Sequence, residues 1–264
     1  LIDSHCHLQY DYSPKTAANL VDEANQAGVH TLVTIGTDLD SIPKVQAISD
    51  AHPCVYHTVG IHPHDAFQMS DQDLEVVRRA AAHPKCVALG ELGLDYYYEN
   101  AAKEIQRRDL ECQLDLAADL KKPVVIHSRE GEADLLALLK RHAARFHGPE
   151  IGVIHCFTGT ESFGRECLDL GFRISFSGIL TFKNAEEIRK SALAFPLERL
   201  CVETDAPFLA PIPYRGKKCE PAMVKQTALK LSEVKRCTLE EVIAKTTESA
   251  RTLYGLTFMA QSGL

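Results

Sequence analysis

Short apolar runs rich in β-branched residues alternate with longer stretches of helical period along the chain. The runs are LIDSHCH (1–7), HTLVTIG (30–36), CVYHTVGIH (54–62), CVALGELGLD (86–95), PVVIH (123–127), IGVIHCF (151–157), FRISFSG (172–178) and LCVETDA (200–206). Near-continuous Val, Ile and Leu is what a parallel sheet buried on both faces requires. Between the runs the spacing predicts helices, such as 13–28, where Leu20, Val21 and Ala24 form an apolar stripe that Gly28 ends, and 101–122. Two closing helices are expected over 219–235 and 238–255. Eight strand–helix units in 264 residues predict an α/β fold, a (β/α)8 TIM barrel with a single domain over 1–264; an open doubly wound sheet is the alternative. Polar residues at the carboxyl ends of the runs favour the barrel. His5, His7, His62, Glu91, His127, His155, Glu203 and Asp205 would converge there on one mouth, whereas an open sheet would spread them along an edge.

Composition narrows the function classes. Hydrophobic residues make up 45% and charged residues 25%, the balance of a soluble globular protein. A net charge of −7 repels polyanions, so contact with nucleic acid requires a local basic patch or bound metal. Nine cysteines with no CxxC pair read as free thiols of a reducing cytosol, and a cytoplasmic location is expected. No apolar stretch approaches the roughly 20 residues that cross a bilayer, and no signal-peptide pattern is present, although a start at Leu1 leaves room for a short leader. A monomer without membrane partners is the default expectation.

The candidate chemistry begins with SHCH. In a strand His5 and His7 share a face and Cys6 takes the other, and two buried imidazoles without a ligand would be a costly cluster. Asp3 has their parity and is expected to orient one ring. Glu91 sits between Gly90 and Gly93, which allow close approach of backbone or ligand. His127 and His155 each end an apolar run. Glu203 and Asp205 are two apart, so alternation points both into the mouth, where a cation would offset their desolvation. Cys6 and Cys156 alternate to the opposite face and are expected to pack there. Such a mixed N/O set suits zinc, manganese or other hard to borderline ions and is too large for one catalytic ion, so two are expected. Two ions activate a water between them, which makes the chemistry hydrolysis. Asp205 is expected to hold an ion and accept the water's proton, with Glu203 behind it orienting ligands.

The series DSHCHL, GIHPH, GELGLDYYY, QLDLAADLKKPVVIHSRE, HCFTG, GFRISFSGILTFKNAE, VETDAPFLAP and RGK spans nearly the whole chain and resembles the TatD family of metal-dependent hydrolases, relatives of the amidohydrolase barrels. The resemblance implies deoxyribonuclease activity, commonly 3′ to 5′ exonucleolytic, supported by two divalent ions (Mg²⁺, Mn²⁺ or Zn²⁺). It implies His5, His7, Glu91, His127, His155 and Asp205 as metal ligands. His62 and His64 become substrate contacts, as do Arg215 and Lys217 in the RGK loop, where arginine can grip a phosphate. The chain departs from the family at Cys219, where RGKxNEP usually has Asn, and at Glu130, where Asp is commoner. Tyr96, Tyr97, Tyr98, Phe157 and Phe208 are aromatics expected near the mouth, where stacking would seat single-stranded DNA or strand ends. The alternative is hydrolysis of C–N or C–O bonds in a small molecule. Related barrels often bridge their ions with a carboxylated lysine; Glu91 occupies that place here. A barrel that kept its metal without catalysis is a third reading, disfavoured because no ligand is missing.

Overall fold

The computed structural model describes residues 1–98, 100–147 and 150–256. Eight strands, β1 (Ile2–Cys6), β2 (Thr31–Ile35), β3 (Val55–Val59), β4 (Cys86–Asp95), β5 (Val124–Arg129), β6 (Gly152–Ile154), β7 (Phe172–Phe176) and β8 (Leu200–Val202), pair in sequence order, every pair parallel. The helices are α1 (Ala17–Gln26), α2 (Ile42–Ala51), α3 (Asp71–Ala81), α4 (Lys103–Leu120), α5 (Glu132–Ala143), α6 (Glu161–Asp169), α7 (Glu186–Ala194), α8 (Val224–Lys235) and α9 (Leu239–Tyr254). The sheet closes into a (β/α)8 barrel just past β8. There the Asp205 N–H donates to the His5 carbonyl (3.0 Å) and the His7 N–H to the Ala206 carbonyl (2.8 Å), so closure itself places Asp205 beside both histidines.

Alternation along the strands divides the core in two. Val33, Ile35, Ala88, Val125, Val153 and Cys201 face inward and pack with Ala250, Leu253 and Tyr254 of α9; the Tyr254 hydroxyl donates to the Ser4 carbonyl at 3.1 Å. Leu32, Leu89, Val124, Ile126, Ile174 and Val202 face outward beneath the helices. β6 and β8 are only three residues long because the chain leaves the ladder early; Cys156 (φ 44°) and Asp205 (φ 58°) already lie in the left-handed region.

A buried polar face of α4 supports two loops at the mouth. Gln113 accepts from the Ile61 N–H (2.8 Å) and donates back to the Ile61 carbonyl, which holds the turn carrying His62. Asp109 accepts from the backbone N–H groups of Phe67, Gln68 and Met69. Gln106 brackets Asp95, accepting from its N–H (2.8 Å) and donating to its carbonyl (2.9 Å). No helix among the described residues is long and apolar enough to cross a membrane.

His57 on β3 faces α2, with Nδ1 on the Ser49 hydroxyl (2.8 Å) and Nε2 without a partner. Burial, then the neighbouring His83, lowers its pKa to about 4, against Asp50, which raises it; Lys122 and Lys85 lower it further. In the unfolded chain this imidazole titrates at about 6.5, so the stability of the neutral buried ring is complete above that pH and is lost as the pH falls toward 4, by roughly 2–3 kcal/mol at pH 4.5. Urea midpoints at pH 7 and 4.5 should therefore converge in His57→Gln relative to the parent. An equal acid loss in both proteins would exclude His57 as the cause.

Candidate metal centre

Local irregularities aim the donors inward. In β1 alternation would place Ile2, Ser4 and Cys6 on one face, yet the register shifts between Asp3 and Cys6. The strand is re-phased there, so Ile2 joins the interior cluster, Cys6 the outer one, and His5 and His7 turn into the barrel. A second shift, between Leu89 and Leu92, brings Glu91 inward while Leu89 and Leu92 stay outside. Gly93 has φ 147°, and a Cβ on it would lie 2.0 Å from the His127 carbonyl oxygen, so only glycine lets β4 approach β5 this closely.

Glu91 stands at the centre and divides the other donors. Its Oε2 faces His5 Nε2 (3.4 Å) and His7 Nε2 (3.9 Å), and these nitrogens lie 3.5 and 3.4 Å from Asp205 Oδ1 and 3.3 Å from each other. Its Oε1 faces His155 Nε2 (2.6 Å), His127 Nδ1 (3.0 Å) and His62 Nε2 (3.4 Å). Ligands of a tetrahedral ion with bonds of about 2.0–2.1 Å stand about 3.3–3.4 Å apart, close to most of the separations on the Oε2 side.

The far nitrogens of the rings explain why a cation fits. His127 Nε2 lies 3.1 Å from Asp95 Oδ2, His155 Nδ1 lies 3.2 Å from Glu203 Oε1, and His7 Nδ1 lies 3.3 Å from the Ile35 carbonyl. Each acceptor takes one ring N–H, so the second nitrogen, aimed at Glu91, offers a lone pair to a cation once it carries no proton. Converging lone pairs and carboxylate oxygens repel unless a proton or a cation lies among them.

Titration follows the same logic. Burial pushes the Glu91 carboxyl up, but the His155 and His62 charges and hydrogen bonds from His127 and His155 hold it well below the usual carboxylate range. Burial pushes His155 down, yet Glu91 and Glu203 more than reverse this and hold it well above the ordinary imidazole value. Burial lowers His62 to about 4. Asp205 is pushed up by burial and brought below its usual range by His7, His5 and His155.

These groups line a cleft of about 750 Å³ at the carboxyl mouth. His7, His62, His64, Glu91, His127, His155 and Asp205 border it, while fully buried His5 sits beneath. Glu203 points inward as alternation expects but does not reach the mouth: its carboxylate lies buried behind His155 and close to His5, where Oε1 also accepts from the Cys156 N–H at 2.7 Å. Cys156 is corrected too, since its left-handed backbone brings it to the cleft wall beside Ser177 instead of the opposite face. Asp3 orients backbone and no ring, accepting from the N–H groups of His5 and Thr204 and from the Thr204 hydroxyl.

Arg215 and Lys217 are not brought into the cleft. Arg215 lies over the Phe182 ring (4.0 Å) and donates to the Ala210 carbonyl, and Lys217 is exposed on the turn. Cys219 is buried and donates its N–H to the Pro207 carbonyl, a backbone bond that needs no Asn side chain. Phe157 is core; Tyr96 binds Asp134 through its hydroxyl; Tyr98 and Phe208 do reach the cleft. Sequence reasoning missed Asp95 and Arg129. Asp95 Oδ2 holds His64 Nε2 (2.8 Å) as well as His127, and Arg129 lines the cleft two residues after His127 on the same strand. The signal for both was parity with a neighbouring donor.

A parallel eight-stranded barrel with histidines and carboxylates gathered at its carboxyl mouth defines a hydrolase of the metal-dependent barrel class. The family described as TatD related DNase matches residues 2–255, and the chain belongs to it. It is 39% identical to the metal-dependent hydrolase YcfH of Escherichia coli over 96% of this chain and 95% of that one. The 3′-5′ ssDNA/RNA exonuclease TatD of Klebsiella pneumoniae is 34% identical, with 90% and 91% covered. The crystal structure of YjjV, a TatD homologue from Escherichia coli, superposes with a TM-score of 0.89 at 29% identity, covering 97% of this chain and 98% of that one.

Proposed function

We propose that this metal-dependent hydrolase is a two-metal phosphodiesterase that shortens single-stranded nucleic acid, DNA foremost, from the 3′ end. The observation that carries the reading is the division of donors by Glu91, with His5, His7 and Asp205 on one side and His127, His155 and His62 on the other. His5, His7, Glu91 and Asp205 would hold one ion, and Glu91, His127 and His155 the second. When bound, the ions lower the pKa of water and neutralise charge on the phosphate. The similarity to a relative named as an ssDNA/RNA exonuclease supports the choice of substrate.

The chain's own groups supply the rest. The Asp205 carboxylate, ionised and at the cleft wall, accepts the proton of the attacking water. His62 Nδ1 accepts the His64 N–H (3.0 Å), so the neutral ring keeps its proton on Nε2, the nitrogen that faces Glu91 Oε1. There it donates to a phosphate oxygen. Glu203 and Asp95 fix the rings of His155 and His127. The test is metal-stripped protein reloaded with Mg²⁺, Mn²⁺ or Zn²⁺ and given a 5′-labelled single-stranded oligonucleotide. Stepwise shortening from the 3′ end that requires metal is expected. Intact oligonucleotide beside cleaved small esters or amides would overturn the assignment.

A further inference from the structure

A cation the mechanism does not use borders the same cleft. The Arg129 guanidinium lies 4.1 Å from the centre of the Tyr97 ring and 4.7 Å from that of Tyr98. Both rings are 54% exposed and meet edge to face at 4.8 Å. None of the described residues accepts a hydrogen bond from this guanidinium, although the protein is acidic and Asp95 is its β-ladder partner. The Asp95 carboxylate is already committed, with Oδ1 accepting from the N–H groups of Tyr97 and Tyr98 and Oδ2 facing His64 and His127. Those two N–H bonds fix the tyrosine turn, so the exposed rings form a prepared support. His64 extends the surface inward, its ring edge-on to Tyr98 at 5.3 Å.

We infer that Arg129, Tyr97 and Tyr98 form a seat for the nucleotide next to the one being cleaved, with the guanidinium on its phosphate and a tyrosine ring under its base. The inference rests on the proposed nuclease function. His127 and Arg129 are two residues apart on β5, an advance of about 6.6 Å along a strand. Successive phosphates of an extended nucleic-acid backbone have a similar spacing. A guanidinium stacked on aromatic faces is oriented in advance while its donors stay free for a phosphate. Arg129 also supplies the local positive charge that the acidic chain requires, which the RGK loop does not bring to the cleft. The seat makes a strand of at least two nucleotides a better substrate than a small diester.

The test compares the metal-loaded parent with Arg129→Gln, Arg129→Lys and Tyr98→Ala, using a single-stranded oligonucleotide and bis(p-nitrophenyl) phosphate. Loss of the charged contact in Arg129→Gln should lower the ratio of kcat/KM for oligonucleotide over small diester about tenfold, mainly through KM. The slope of log KM against log salt should fall by about 0.7, the release expected for one single-strand phosphate. Arg129→Lys should keep that slope while KM still rises. Should Arg129→Gln not fold, Tyr98→Ala at the exposed rim decides, with KM for the oligonucleotide raised about tenfold through lost stacking. An unchanged selectivity ratio and salt slope, with the parent cleaving DNA, would overturn the seat and leave the nuclease standing. A parent that cleaves no oligonucleotide under any metal would overturn both.

Discussion

Asp205→Asn should lower turnover of a single-stranded oligonucleotide by about a thousandfold or more while the barrel stays folded. A positioned general base contributes on the order of 10²–10⁴, and this residue is also proposed to hold an ion, so the loss belongs at or above the middle of that range. Folding should survive, because Asn is isosteric and tolerates the left-handed backbone at φ 58°. The backbone bond from residue 205 to the His5 carbonyl does not involve the side chain. Single-turnover assays and circular dichroism of the same preparation separate the two outcomes. Parent-like turnover by the folded variant would remove Asp205 from the mechanism.

Glu91→Gln should be as severe by a different route. The carboxylate offers an acceptor oxygen to each group of histidines, 3.4 Å from His5 on one side and 2.6 Å from His155 on the other. An amide has one acceptor oxygen and one NH₂ donor with no lone pair for an ion, so in either orientation one group of histidines loses its carboxylate ligand. Bound metal should fall from about two ions per chain to one or none, and turnover by about a thousandfold. Elemental analysis after gel filtration reads the first and the oligonucleotide assay the second. A Gln variant that retains the parent's metal content would show that Glu91 is not shared.

The fold was legible because eight buried runs alternate with helical stretches, and most of the donor set because it stands at the ends of those runs. Strict alternation did not carry to individual side chains. In β1 the inward turn of His5 and His7 depends on a register shift that no local pattern announces. After β6 and β8 the chain leaves the ladder, so Cys156 reaches the cleft against its parity, while Glu203 keeps the inward parity of Cys201 but sits behind His155 instead of at the mouth. Arg129 was hidden for another reason. Its meaning lies in the tyrosine turn after β4, which β5 meets only when the sheet is formed, whereas the RGK loop was conspicuous in sequence and yet keeps Arg215 on Phe182.

The most direct test of the two-metal claim is to titrate Mn²⁺ or Zn²⁺ into the metal-free protein while following both bound metal and 3′-end shortening of a labelled oligonucleotide. Little activity through the first equivalent and a rise across the second is the predicted result. Full turnover at one equivalent, or turnover that persists after complete chelation, would contradict it.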